Sequence, residues 1–572
     1  MTDNKLSRPA WPALSRRGFV HGLAVGGALA AAPGLVLADG LARRTTRTGT
    51  APELRGSQFD LVVEETLVDY AGKVQVATSI NGSIPAPTLR LREGDEVTIR
   101  VTNRLREITS IHWHGILLPW QMDGVPGISF AGIAPGETFT YRFRLRQSGT
   151  YWYHSHSGSQ EQTGMYGALI VEPRDQASAP GLREHVVLLS DWLHGDPMRV
   201  LAHLKTQSDY YNFNQPTVPA FFDEVSRDGL GAALDRRRMW QQMRMNPTDL
   251  ADLSSAALSH LCNGLEPAEP WLGLYQPGEK VRLRCINGSA NTFYDLRIPG
   301  LPMTVVQSDG VDVEPVTVDE FRFGPGETYD VLVTPDGEAH CVFAQSMDRS
   351  GFACGVLAER EGLQPGVPEP DAPLWLSMTD MMGDGMHSGH GGHAMGGAEA
   401  HVRHASSEFG PSVDMLVDQP RRNLDDPGIG LRDNGRRVLT LADLVTVGGP
   451  LDPRDAGREI ELHLTGNMER YSWSLDGLEF GSSTPVAMRH GERLRVILHN
   501  DTMMTHPMHL HGLWSELENT DGGFQARLHT IPVQPAQRIS FLVDASEPGR
   551  WAWHCHLMLH MHMGMFREVV VS

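Results

Sequence analysis

The chain has 572 residues, enough at roughly 150 per domain for three or four domains with a large buried core, which excludes a mini-protein held by staples. Its 49 Lys and Arg against 69 Asp and Glu give a net charge of −20, a balance that argues against nucleic acid and anionic membranes as partners and favours small cations. The 60 Gly and 37 Pro with 7% aromatic residues suit a turn-rich, mainly β protein, and 26 His and 24 Met are the unusual counts.

Chain order begins with an address. Ser15-Arg16-Arg17-Gly18-Phe19-Val20 precedes a Gly/Ala-rich apolar stretch from Leu23 to Leu37 and the small-residue pattern Val36-Leu37-Ala38. This resembles a twin-arginine signal over residues 1–38, read by the export machinery that carries folded proteins to the periplasm. The apolar run is too short and glycine-rich to span a bilayer, and nothing later reads as a span, so no stable membrane insertion is expected.

Three segments then share a turn, an alternating strand and a closing Asn: Gly94 to Asn103, Gly278 to Asn287, and Gly491 to Asn500. Each is followed at a near-constant distance by a second strand motif: Pro135 to Phe143, Pro325 to Val333, and Pro535 to Val543. Period-two alternation bounded by Gly and Pro, repeated three times, predicts an all-β chain of three consecutive β-sandwich domains at 52–175, 180–370 and 435–572. Residues 223–260, with Arg236-Arg-Arg-Met-Trp240 and Leu253 to Leu258, read as a helical insertion in the second domain. Residues 378–410 are low-complexity and read as a flexible Met/His-rich insert before the third. Of five cysteines, Cys262, Cys285, Cys341 and Cys354 either pair in an oxidising compartment or serve as small buried hydrophobes.

His-x-His occurs four times, at His112/His114, His154/His156, His509/His511 and His554/His556. Residues i and i+2 of a strand share a face, so each pair offers two imidazoles side by side, and eight neutral imidazoles make a poor core and a good metal site. Gly149 to His156 aligns with Gly549 to His556, and His112-Trp-His-Gly115 with His509-Leu-His-Gly512, which sets the first and third domains face to face. The counterpart in the second domain, Cys341 to Met347, carries no pair and reads as a structural spacer. The same alternation turns Cys555 to the opposite face. There His506, Cys555, His560 and Met565 supply two imidazoles, a thiolate and a thioether, the donor set of a blue electron-transfer copper. The matching positions Thr109, Ser155, Gln160 and Met165 lack it, so the first domain is expected to hold no second site of this kind.

Together, His112-Trp-His-Gly, His154-Ser-His, His506-Pro-Met-His-Leu-His-Gly512 and His554-Cys-His-x3-His560-x4-Met565 resemble the four copper motifs of three-domain multicopper oxidases. The tail Met563 to Glu568, the export signal and the Met/His insert resemble the copper-resistance branch of that family, to which cuprous oxidases belong. The resemblance implies cupredoxin-like Greek-key domains and four copper ions. His112 and His509 would bind the type 2 ion. His114, His154, His156, His511, His554 and His556 would bind the type 3 pair, and His506, Cys555, His560 and Met565 the type 1 ion. Cys555 would pass electrons to the cluster, where O₂ becomes water. Zinc, which cannot change valence, would not serve.

Asp123, nine residues after His114, resembles the family's acid near the cluster; as Asp-Gly it is also a turn former. Some relatives carry a second acid just after the last type 1 histidine, where this chain has Met561. Thioethers select Cu(I), and Met503, Met504, Met508, Met558, Met561 and Met563 surround the type 1 motif, although methionine also fills core gaps. Met378, Met381, Met382, Met386 and Met395, with His387, His390 and His393, lie among glycines and are expected to pack no core, leaving capture of copper or a passive linker. The expected reductant is Cu(I) or a small phenol, the expected form a monomer. A copper-sequestering protein without turnover is the rival reading.

Overall fold

The computed structural model describes residues 51–175, 182–377, 380–381, 383 and 402–572. The expected export signal and most of the Met/His-rich insert lie outside the described residues, and no helix among those described is long and apolar enough to cross a membrane.

The strands form six sheets in three runs of sequence, two sheets to a run. In each run the two repeated motifs are neighbours: Glu96–Asn103 pairs antiparallel with Thr138–Arg144, Val281–Asn287 with Thr328–Val333, and Arg493–Asn500 with Arg538–Asp544. On its other edge each of the three first strands pairs parallel with an earlier strand, Gln58–Tyr70, Arg183–Leu193 or Arg458–Asn467. The chain is therefore all-β in the expected repeated form. The second sheet of the first run ends on Gly149–His154 beside His112–His114, and that of the third run sets Gly549–Cys555 beside His506–Leu510.

The recurring Asn has a structural reason. Asn500, fully buried, donates through Nδ2 to Met504 O at 2.8 Å and Val533 O at 2.9 Å, while its Oδ1 accepts from Thr502 N at 2.9 Å. Asn103 makes the same three bonds to Glu107 O, Ile133 O and Leu105 N, and Asn287 to Thr292 O, Phe323 O and Ser289 N. Each amide thus ties the end of one strand to the loop entering the next and to the residue leading into the Pro turn. Asn500→Ala strands two buried carbonyls and an N–H just before His506, at roughly 1–3 kcal/mol each before relaxation. A loss of about 3 kcal/mol is expected in urea unfolding of the metal-free protein; a loss below 1 kcal/mol would contradict this role.

Two expectations change. Helix is found at Pro197–Leu204, Val218–Asp228 and Leu230–Met243, so the insertion begins earlier than residue 223 and its helix stops well before 260. Arg244 turns left-handed at φ 56°, Asn246 Oδ1 caps Thr248 N, and by Leu258 the chain is already a strand paired to Leu193. Second, Met381 is fully buried in the main hydrophobic core and so does pack it. Beside it Asp380 accepts from Ser377 and pairs with Arg432, which anchors the start of the insert. Cys262, Cys285, Cys341 and Cys354 are buried free thiols, with Cys341 and Cys354 Sγ 3.1 Å apart on adjacent strands.

Candidate metal centre

The eight paired histidines converge. His112 pairs with His154 and His509 with His554 across neighbouring strands, and the rings of the two runs interleave: His114 stacks on His509 at 3.7 Å and His112 on His511 at 3.9 Å. Three donor groups emerge, each with its atoms within 4.8 Å of one another: His114, His154 and His556; His156, His511 and His554; and His112, His509 and His511.

Outward-facing nitrogens are mostly held and inward-facing ones are not. His112 Nδ1 lies 2.8 Å from Asp123 O, His154 Nδ1 2.8 Å from Glu161 Oε2, His509 Nδ1 2.6 Å from His529 O, His511 Nδ1 2.9 Å from Asp123 Oδ2, and His554 Nδ1 2.9 Å from Cys555 O. Such contacts leave the lone pair on Nε2. His112, His154 and His509 Nε2, and both ring nitrogens of His114 and His556, are buried without any partner, while His554 Nε2 lies 3.0 Å from His511 Nε2 and 3.2 Å from His156 Nε2. Burial, then neighbouring histidines, hold His114, His154, His156, His509, His511 and His556 well below the ordinary imidazole range. Converging neutral lone pairs fit metal cations and little else.

The sign of the pH effect in metal-free protein follows. His554 falls to about 4, chiefly through burial, so protonation favours the unfolded chain. Stability is independent of this group above about pH 6.5, falls as pH drops below it, and levels off near 4, a loss of about 3 kcal/mol from His554 alone. Urea titrations of metal-free protein at pH 7.5 and 5 test this; equal stability at the two values would contradict it.

On the opposite face Cys555 Sγ lies 3.6 Å from His506 Nδ1 and 3.7 Å from His560 Nδ1, with the two nitrogens 3.1 Å apart. A triangle of these edges accommodates a trigonal His₂Cys ion with bonds near 2.0–2.3 Å. The distal nitrogens point away: His506 Nε2 meets Thr502 Oγ1 at 2.6 Å and His560 Nε2 meets Asp252 Oδ2 at 3.0 Å. Met565 is fully buried, and its backbone bonds both Cys555 N and His560 O. In the first run the backbone does the same through Met165 with Ser155 and Gln160, but Gln160 Oε1 there accepts from Thr109 and Ser155 hydroxyls, a neutral network in place of a ligand set.

Asp123 sits on a turn, as its Asp-Gly step predicts: Gly124 has φ +82° and a Cβ there would lie 1.8 Å from Ile111 O. Its carboxylate nonetheless reaches across to His511, so it is also a positioning group. Sequence reasoning missed four others because each is a single residue without a repeating partner. Glu161 holds His154, and Asp252 in the insertion holds His560. His529 stands near His114 and His509, and Asp309 accepts from His529, Thr530 and Thr328 N–H groups. The second run therefore does more than space the others. Gly326, with φ +92°, packs so closely that a Cβ would lie 3.0–3.1 Å from His556 and His114.

Multicopper oxidase family models match residues 62–176, 183–361 and 453–572. Copper resistance protein A of Escherichia coli is 51% identical over 98% of this chain and 99% of its own length, and multicopper oxidase MmcO of Mycobacterium tuberculosis 30% identical over 96% and 95%. In fold the chain is similar to Fet3p, a multicopper oxidase that functions in iron import (TM-score 0.63, 18% identity, 91% of each chain). It is also similar to the Botrytis aclada laccase (TM-score 0.61, 21% identity, 92% of this chain and 90% of that one). With its histidine and cysteine motifs folded into two donor clusters and family matches along most of its length, the chain belongs to the multicopper oxidases.

Proposed function

We propose that the protein is an exported, periplasmic oxidase that takes single electrons from Cu(I), releasing Cu(II), and reduces O₂ to two waters, as part of copper resistance. His506, Cys555, His560 and Met565 would hold a copper ion for one-electron chemistry, and the eight paired histidines would hold three more, which together would supply four-electron reduction of O₂. The three domains at 52–175, 180–370 and 435–572 provide the frame, and export proceeds through the twin-arginine signal over 1–38.

The observation that carries the choice of Cu(I) is a cavity of about 500 Å³ among the insertion and the third run, lined by Met245, Met468 and Met503 with Asp209, Asp249 and Glu469. Thioethers select a soft cation, and the acids beside them favour positive charge even though Arg244 pairs with Glu469 and Trp240 and Trp375 also line the cavity. Asp249 is pushed up by burial and by the nearby charges of Asp252 and Asp209, and Asp252 contacts His560. Asp249 in the cavity lining and Asp252 on His560 thus join the cavity to the type 1 ligand. Protons come from residues near the cluster: Asp123, beside His511 and His112, and Asp309, which burial raises to about 7 and which therefore titrates at working pH. These acids serve in place of the one absent at Met561.

Met245→Leu with Met468→Leu keeps cavity volume and removes two thioethers. About a tenfold lower kcat/KM for Cu(I), about 1.4 kcal/mol, is expected with phenol turnover unchanged. Equal losses with both reductants would overturn the assignment of this cavity.

A further inference from the structure

Outside both copper centres the third run holds a second convergence of metal-binding groups. His463 lies on Arg458–Asn467 and His499 on Arg493–Asn500, directly opposite in the parallel pairing, with rings stacked at 4.6 Å. Asp501 follows the second strand, and His404 and Glu408 come from the segment leaving the Met/His-rich stretch. His404 Nδ1 lies 2.8 Å from Glu408 Oε2 and 3.8 Å from Asp501 Oδ2, and His463 Nδ1 lies 3.2 Å and 2.7 Å from the same two oxygens. All four side chains are at most 7% exposed.

We propose that His404 Nδ1, His463 Nδ1, Glu408 Oε2 and Asp501 Oδ2 form a fifth metal site, for a divalent cation of the Cu(II) or Zn(II) class. Four donors around a tetrahedral ion with bonds near 2.0–2.2 Å stand about 3.3–3.6 Å apart, and the four nitrogen–oxygen edges among the six, at 2.7–3.8 Å, bracket that spacing. Two imidazoles and two carboxylates neutralise a divalent ion, and a set without sulfur does not select Cu(I). His499 acts as the outer partner: its Nε2 lies 3.1 Å from Asp501 Oδ1, which also accepts from Val417 N.

The competing account is an ion-pair cluster of protonated histidines. It holds two imidazolium ions on the same pair of oxygens, with His404 Nε2 and His463 Nε2 no nearer than 3.6 and 3.7 Å to Asp418 and Glu461. A divalent ion replaces both protons at once. Asp501 adjoins Thr502, which bonds His506, so the ion would clip the last part of the insert onto the strand end beside the type 1 ligands.

The test titrates the copper-loaded full chain with Zn²⁺ and counts zinc retained after dialysis. One ion per chain is expected, retained when residues 384–400 are deleted, and accompanied by a higher melting temperature. The double variant His404→Gln, Glu408→Gln should bind at least about 100-fold more weakly, since even outer-shell partners are worth 10–100-fold, with blue absorbance and oxygen uptake unchanged. No zinc in the deletion protein, or equal zinc in the double variant, overturns the site. If the variant misfolds, anomalous diffraction at the zinc edge on the wild type decides: a peak between these four atoms supports the site and its absence overturns it. Oxygen uptake is independent of either outcome, so failure here is distinct from failure of the oxidase reading.

Discussion

Cys555→Ser is expected to abolish the blue absorbance and to reduce oxygen uptake, with any reductant, to that of the metal-free protein. Cys555 is buried at the end of Gly549–Cys555, its N–H held by Met565 O at 3.1 Å, and its Sγ completes the triangle with His506 and His560. Burial pushes the free thiol well above its ordinary pKa, so the thiolate that this position offers exists only when a cation compensates it. A serine hydroxyl is harder and far less acidic, and it cannot replace the thiolate. The second consequence is connectivity. His554 and His556 flank Cys555 in the chain and face the other centre, so the peptide itself joins the two. The variant should keep the three ions of the eight-histidine cluster and lose one of four. Retained turnover would mean that electrons enter elsewhere.

Asp123→Asn is expected to lower kcat for O₂ reduction by about 10–100-fold while leaving the blue absorbance intact. The carboxylate accepts from His511 Nδ1 at 2.9 Å and stands 3.3 Å from His112 Nδ1, whose bond goes to the Asp123 carbonyl at 2.8 Å. One residue of the first run thus fixes the tautomers of a histidine in its own run and another in the third. The amide supplies a weaker acceptor and carries no charge, so His511 is oriented less firmly and the acid is lost. A purely turn-forming Asp123 would tolerate Asn with little effect, because Asn occupies such turns equally well. A pH–rate profile separates positioning from proton supply: a proton donor acts only while protonated, so loss of the limb that falls with rising pH indicates the latter.

Whatever repeats was legible in the sequence. Strand alternation, the Gly and Pro turns and the closing Asn recur three times and gave the all-β architecture, and the His-x-His spacing put eight histidines in pairs on shared strand faces. What escaped were residues whose role depends on distant chain meeting distant chain. Asp252 lies in a stretch that reads as helix by composition, yet Arg244 and Asn246 end that helix and free the loop that reaches His560. Glu161 and Asp309 are lone acids whose meaning comes from burial against His154 and His529. Met381 looked like part of a glycine-rich linker, but it lies at the start of that stretch and tucks into the core beside Asp380.

The central claim is tested most directly by oxygen uptake of the copper-loaded protein from about residue 39, with Cu(I) and then a simple phenol as the only reductant. The account predicts fast uptake with Cu(I), at four Cu(I) consumed per O₂, and slow uptake with the phenol. Fast phenol oxidation with little response to Cu(I) would make the protein a laccase, and no uptake from a blue, fully loaded protein would make it a copper-sequestering one; either result would contradict the account.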